Sequence, residues 1–282
     1  MEASPIVSHL SGKSRFDDIY EQPDPRPYFR RLAPLQYEIP HHAQPVFRRS
    51  VEECRARSTG RRDVTVLDIC CSYGINAALL NHDLTLADLY THYTSPAATR
   101  LTAAELIHSD KEFYAAHRRD DAVAVVGLDV SAPAIKYAVA VGLLDDAYAE
   151  NLERRPPSTA LRRAASRVGL LTLTGGGSYI TERTFGAVLA CTQSPAQVAA
   201  FVLRGIPYDR IAAVLASHGL HTAVDHSRTY PQRLFTGPEE QRMALADVVR
   251  AGLDPSGREA SGRYHAVLYE SRPASEETAE AG

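Results

Sequence analysis

Val64-Thr65-Val66-Leu67-Asp68-Ile69-Cys70-Cys71-Ser72-Tyr73-Gly74-Ile75-Asn76-Ala77-Ala78-Leu79-Leu80 is the stretch whose reading decides the fold. Its first six residues form a short, apolar, β-branched run, the pattern of a strand buried on both faces of a parallel sheet. An acid is out of place in such a core. Asp68 therefore needs a polar partner beyond the carboxyl edge of the sheet, where ligands of open α/β sheets sit. Small residues make the turn. Gly74 then opens a helical run (Ile75, Ala78, Leu79) whose amino end offers free N–H groups to a ligand. The dinucleotide fingerprint G-x-G-x-x-G is not met, because Cys70 and Ser72 stand where glycines would be usual.

A second stretch repeats the pattern. Ala122-Val123-Ala124-Val125-Val126-Gly127-Leu128-Asp129 is another buried strand ending in an acid. The following Val130-Ser131-Ala132-Pro133 is a capped helix start with proline in the first turn. A carboxylate at Asp129 can accept both hydroxyls of a ribose, as strand-end acids do in nucleotide-binding sheets. Taken singly, either stretch also suits an ordinary strand-turn-helix corner or an N-capping aspartate.

Together, Leu67-Asp68-Ile69-Cys70-Cys71-Ser72-Tyr73-Gly74 and the Asp129 strand resemble the paired motifs of the class I S-adenosylmethionine-dependent methyltransferases, with only the last glycine of the first motif kept. The resemblance covers about Val64 to Pro273. It implies an α/β fold, a doubly wound, mostly parallel sheet of seven strands closed by an antiparallel pair, with S-adenosylmethionine as cofactor. It further implies that Asp68, Cys70, Ser72 and Gly74 shape the amino-acid end of the site. Asp129 would hold the ribose and Val130 would pack on the adenine. Asn151, with Leu152 beside it, stands where the family places an adenine-edge side chain, and an amide can both donate and accept. Val168–Thr174 is then the fourth strand, and its glycine-rich end makes Thr174, Gly175 and Tyr179 candidates for contacts near the reacting centre. A tyrosine face such as that of Tyr179 attracts a sulfonium by about 1–2 kcal/mol when desolvated.

Residues 1–50 read as a cap or lid, 51–273 as the cofactor-binding α/β domain and 274–282 as a charged, disordered tail. The leading stretch up to Lys13 is polar and without periodicity, the pattern of a mobile end. From Asp17 onward, aromatics and prolines alternate, which predicts short helices joined by turns rather than one long helix. Tyr20 and Tyr28 are the aromatics expected near the cofactor, although a satellite cluster packed on the sheet fits equally. Consecutive histidines do not share a helix face, so His41 and His42 make a poor metal pair; each is a candidate general base or simply polar surface. Leu84 to Ala115 reads as an inserted helical layer, and two late strands are expected over His221–Phe235 and Arg263–Ser271.

The 282 residues are 44% hydrophobic with a net charge of −3, enough for one large core and without the basic field that nucleic acid or a membrane surface would call for. The basic runs near Arg48–Arg62 and Arg154–Arg167 carry interleaved acids and lack aromatics, which suits solvated faces. No apolar run reaches the roughly 20 residues of a membrane helix and no signal-peptide core opens the chain, so a cytoplasmic location is expected. Cys54, Cys70, Cys71 and Cys191 show neither a disulfide framework nor a metal spacing. No metal is expected. The expected activity is methyl transfer to a small molecule, in keeping with bacterial secondary metabolism. The alternative is another reaction of the same sulfonium, such as closure of an azetidine-2-carboxylate ring with release of methylthioadenosine. A homodimer is compatible with the sequence.

Overall fold

The computed structural model describes residues 12–57 and 64–274. The leading segment expected to be mobile lies outside them up to residue 11, as does the tail from residue 275.

The chain runs α1 (Asp17–Tyr20), α2 (Arg26–Leu32), α3 (Ile39–Arg57), β1 (Thr65–Ile69), α4 (Ile75–Asn81), α5 (Leu86–Thr94), α6 (Pro96–Arg100) and α7 (Ala103–His117). It continues through β2 (Ala124–Asp129), α8 (Ala132–Ala140), β3 (Asp146–Ala149), α9 (Thr159–Ala165), β4 (Val168–Thr174) and α10 (Glu182–Leu189). Then come β5 (Gln197–Leu203), α11 (Asp209–Ser217), β6 (Leu220–Val224), β7 (Tyr230–Leu234), α12 (Pro238–Arg250) and β8 (Arg263–Pro273). The sheet order is β3-β2-β1-β4-β5-β8-β6, with β7 also paired to β8. Strands β1 to β5 are parallel, and β8 is antiparallel to β5, β6 and β7. This is the doubly wound α/β sheet with an antiparallel close.

The strand expected over 221–235 comes as two pieces. β6 pairs with the far half of β8 and β7 with its near half, the chain turning at Asp225 to Arg228 between them. The expected inserted layer is α5 to α7, two of whose helices start on full capping boxes at Thr85/Asp88 and Thr102/Glu105.

The amino-terminal region departs from expectation in one respect. Pro40 falls in the first turn of α3, where a missing N–H costs nothing, but Pro45 lies inside this 19-residue helix, which continues past it. Burial explains the tolerance: Ile39, Ala43, Val46, Phe47, Ser50, Val51 and Cys54 form one packed stripe, and α3 contacts β4, β5 and β7. α3 is thus a sheet-covering helix that crosses residue 50 unbroken, and the covering of the site comes from residues before it. Apolar packing divides between the two faces: α3, α4 and α5 pack with Val66, Val125 and Leu170, and α9, α10 and α11 with Leu67, Val126 and Leu171.

Candidate functional site

β1 feeds a chain that turns toward β2, while β3 returns to β4 on the other side of β1. The order of the sheet reverses between β1 and β4, which opens a crevice at their carboxyl ends. A cavity of about 670 Å³ lies there. Its floor is the ends of β1, β2 and β4, one wall is the segment after β3, and its roof is Phe16 to Tyr37.

The turn after β1 supplies the first wall. Cys70 and Ser72 have φ of 57° and 52°, and Gly74 has φ of 79°. The backbone therefore holds the left-handed region that glycine adopts freely, with side chains present at two of the three positions. Cys70 finds its room at the expense of a neighbour: a Cβ on Gly176 would stand 2.5 Å from its Cβ and Sγ. Gly127 makes the same concession to Cys71 Sγ, at 2.8 Å. Gly175, with φ of 70°, lies where a Cβ would meet Tyr37 Oη at 2.5 Å.

Asp129 ends β2 and ties two corners together. The Ser72 amide donates to its Oδ2 (2.8 Å) and the Ser131 amide to its Oδ1 (2.9 Å). Burial raises its pKa, with these amide bonds working the other way. Asp129 lines the cavity together with Val130, Asn151 and Leu152.

Asp68 does not line the cavity. It is buried on the α3/α4 side of β1, accepting from Thr172 Oγ1 (2.7 Å) and from Asn76 Nδ2 (3.0 and 3.2 Å). Asn76 in turn bonds Thr174 Oγ1 (3.0 Å), and both Asn76 and Thr174 do reach the cavity. Burial pushes the Asp68 carboxyl up to about 7. Asp68 is a positioning residue that fixes the side chains at the wall.

The roof is anchored from below. Tyr73 Oη lies 2.8 Å from Ile19 O, 2.9 Å from Gln22 O and 3.2 Å from Tyr20 O. Ser131 Oγ donates to Tyr20 O (2.7 Å). Tyr28 packs edge-on against Tyr20, Tyr37 and Tyr73 at ring separations of 6.0–6.2 Å. Arg233 from β7 closes the far end, paired with Glu240 (2.6 and 3.0 Å). That pairing, with Thr236 and Ser14 amides also donating, holds Glu240 down at about 2 despite its burial.

Of the residues singled out from the sequence, Tyr20, Tyr28, Cys70, Ser72, Asp129, Val130, Asn151, Leu152, Thr174, Gly175 and Tyr179 all line this one cavity. Gly74 supports it from behind, where a Cβ would press on Ala138 and Leu143 at 3.2 Å. His41 and His42 are not brought to it: His41 is exposed, and His42 faces Tyr230 and Glu38 at the start of α3. Neither lines the cavity, and burial lowers the pKa of His42. The Tyr179 ring is not bare either, since Lys13 Nζ sits 5.1 Å from its centroid. Lys13, Tyr37, Tyr73, Asn76, Gln232 and Arg233 escaped sequence reasoning. Tyr73 and Asn76 had a signal, being a large aromatic and an amide in a stretch otherwise small and apolar. Among the described residues no group of three or more His, Cys, Asp or Glu side chains is placed to share a metal, and no helix is long and apolar enough to cross a membrane.

No protein-family model and no curated protein sequence matches the chain. Solved structures that resemble it include a functionally unknown protein from Deinococcus radiodurans R1, with 16% identity and a TM-score of 0.42 over 75% of this chain and 81% of that one. Magnesium protoporphyrin IX methyltransferase from Synechocystis PCC 6803, solved with bound SAH, shares 12% identity with a TM-score of 0.39 over 84% of each chain. Precorrin-6y C5,15-methyltransferase from Geobacter metallireducens GS-15 shares 9% identity with a TM-score of 0.38 over 83% of this chain and 88% of that one. At these distances the chain's chemistry has to be read from its own cavity.

Proposed function

We propose that the chain is an S-adenosylmethionine-dependent methyltransferase acting on a small molecule within the 670 Å³ cavity. The observation that carries this reading is Asp129, a strand-end carboxylate fixed by two backbone N–H groups at the edge of a covered crevice. The lining fits such a donor in kind. Val130 and Leu152 offer apolar faces for a purine, and Asp129 offers acceptors for two ribose hydroxyls. Ser72 Oγ and Gln232 Oε1 are buried without a partner among the described residues, both on residues that line the cavity.

The donor supplies a carbon already activated by positive sulfur. What the protein contributes is orientation and dryness, and positioning of two reactants is worth about 7–11 kcal/mol. Tyr20, Tyr28 and Tyr37 roof the cavity with rings, which excludes water while keeping polar tips available. No acid/base dyad is required for an acceptor that is already nucleophilic.

The alternative reaction of the same sulfonium is told apart by its product. A cavity of 670 Å³ lies inside the range of about 300–1,000 Å³ typical of pockets for drug-sized ligands, which suits a donor of this size in either reaction. The test is to incubate the protein with S-adenosylmethionine, with and without a metabolite extract, and identify the released nucleoside by mass spectrometry. S-adenosylhomocysteine formed only with extract is the expected result. Methylthioadenosine formed without extract, above an enzyme-free control, would replace methyl transfer with cleavage of the donor.

A further inference from the structure

Among the described residues three cations line the cavity, and two of them have carboxylate partners. Arg15 pairs with Asp17 at 2.6 Å, and Arg233 with Glu240 at 2.6 Å. The third, Lys13, has its Nζ on Ser178 Oγ (3.0 Å) and over the Tyr179 ring, with no carboxylate within 4 Å among the described residues. An ammonium has three N–H donors, and among the described residues this one spends a single bond. Lys13 is partly buried, and a cation half withdrawn from water without a carboxylate beside it is placed to take the charge a ligand brings.

We propose that Lys13 is the counter-ion of a ligand carboxylate, with Ser178 and the Tyr179 ring fixing its ammonium at the cavity wall. A carboxylate is the anion of matching charge: among the described residues Lys13 is one cation without a carboxylate partner beside one hydroxyl, whereas phosphate recognition draws on several donors or charges together. The surroundings agree. Burial first, and Arg233 next, hold the lysine down at about 7, while Glu240 acts the other way. An arginine at this place would be charged in all states; a lysine can wait neutral and take its proton with the ligand.

The inference rests on the reading of the cavity as an adenosine site, and the carboxylate has two possible sources: the amino-acid end of the donor or the acceptor. Calorimetry on the full chain distinguishes them, using wild type, Lys13→Met and Lys13→Arg. The probes are S-adenosylhomocysteine, methylthioadenosine, which lacks the amino-acid end, and benzoate added to protein saturated with S-adenosylhomocysteine. Lys13→Met is expected to lose about ten- to hundredfold in affinity for a carboxylate-bearing probe, Lys13→Arg to retain most of it, and methylthioadenosine to bind all three proteins alike. Loss confined to S-adenosylhomocysteine assigns the donor's carboxylate; loss confined to benzoate assigns the acceptor's. Unchanged affinity of Lys13→Met for every probe, with methylthioadenosine still bound, overturns the role of Lys13 alone. Failure of wild type to bind any nucleoside overturns the adenosine reading and this inference with it.

Discussion

Asp68, one residue from the end of β1, and Asp129, the last of β2, follow the same kind of apolar run, yet their carboxylates meet different partners. Asp68 is held by side chains, Thr172 and Asn76, inside the layer between sheet and helices. Asp129 is held by backbone amides of two turns and lines the cavity. The register accounts for the difference. Asp68 sits opposite Gly127, so Asp129 stands two residues nearer the carboxyl edge, about 6.6 Å at the rise of a strand. Two residues of depth separate a group that positions others from one that a ligand can touch.

The sharpest way to break this contrast is to remove both carboxylates in turn and measure nucleoside affinity. Asp129→Ala is expected to weaken S-adenosylhomocysteine at least a thousandfold, on the order of 4 kcal/mol, since two charge-assisted bonds to ribose hydroxyls are each worth about 1.5–3 kcal/mol. Asp68→Asn should cost far less affinity, because its contribution reaches the wall only through Asn76 and Thr174. Equal losses in calorimetry would mean that depth does not separate their roles.

Asp68 has its own signature in the pH dependence of stability. Its folded pKa is raised from 3.8 to about 7, so between those values the folded chain keeps a proton that the unfolded chain has lost. Stability contributed by this group therefore falls as pH rises from about 4 to about 7 and stays level above. The full fall is on the order of 4 kcal/mol. Denaturant unfolding of wild type and Asp68→Asn at pH 5 and pH 8 checks it: the substituted chain should lose this part of the slope. Parallel profiles would place Asp68 in a more polar setting than its burial shows.

Much of this was legible from the residues. The apolar, β-branched runs within 64–69 and 122–129 marked both strands and both acids, and the capping boxes of α5 and α7 are written in Thr85, Asp88, Thr102 and Glu105. Register was not legible, because a run such as Val-Val-Gly-Leu-Asp carries no information on which residue of a distant strand it will face. The same gap hid the partners of Lys13 and Arg233, which come from 165 and 7 residues away respectively. Proline density misled over α3, where packing against β4 and β5 outweighed a local preference. Cys70 and Ser72 misled in the other direction: their side chains suggested a departed motif, while the backbone kept a glycine's conformation.

The two corners also grip the roof unequally, and this gives a smaller effect. The β1 corner reaches three carbonyls through Tyr73, and the β2 corner one through Ser131 Oγ. Tyr73→Phe is expected to cost about 1–2 kcal/mol and to speed amide hydrogen exchange over residues 16–22. Ser131→Ala should also weaken the cap of α8, whose Ala134 amide it accepts, so its exchange effect should extend into that helix. Equal effects confined to the roof in both variants would make the corners equivalent.

The smallest effect sharpens the comparison most directly, because it touches the backbone that links the corners. Ser72 holds φ of 52° while its amide bonds Asp129, and its hydroxyl makes no bond among the described residues. Ser72→Gly keeps the amide and removes a Cβ that disfavours the left-handed region by about 1 kcal/mol. The free chain gains backbone entropy from the same change, which offsets part of this, so the expected gain is a few tenths to 1 kcal/mol, or at most about 2–4 °C in Tm. Cys70→Gly is a poorer probe: its side chain fills the space Gly176 leaves, and removing it opens a gap that cancels the relief. A gain for Ser72→Gly with unchanged nucleoside affinity would show that the strain is incidental. A gain with weaker affinity would mean that a side chain at 72 holds the loop in the form that presents its amide to Asp129, making the strained turn part of the site.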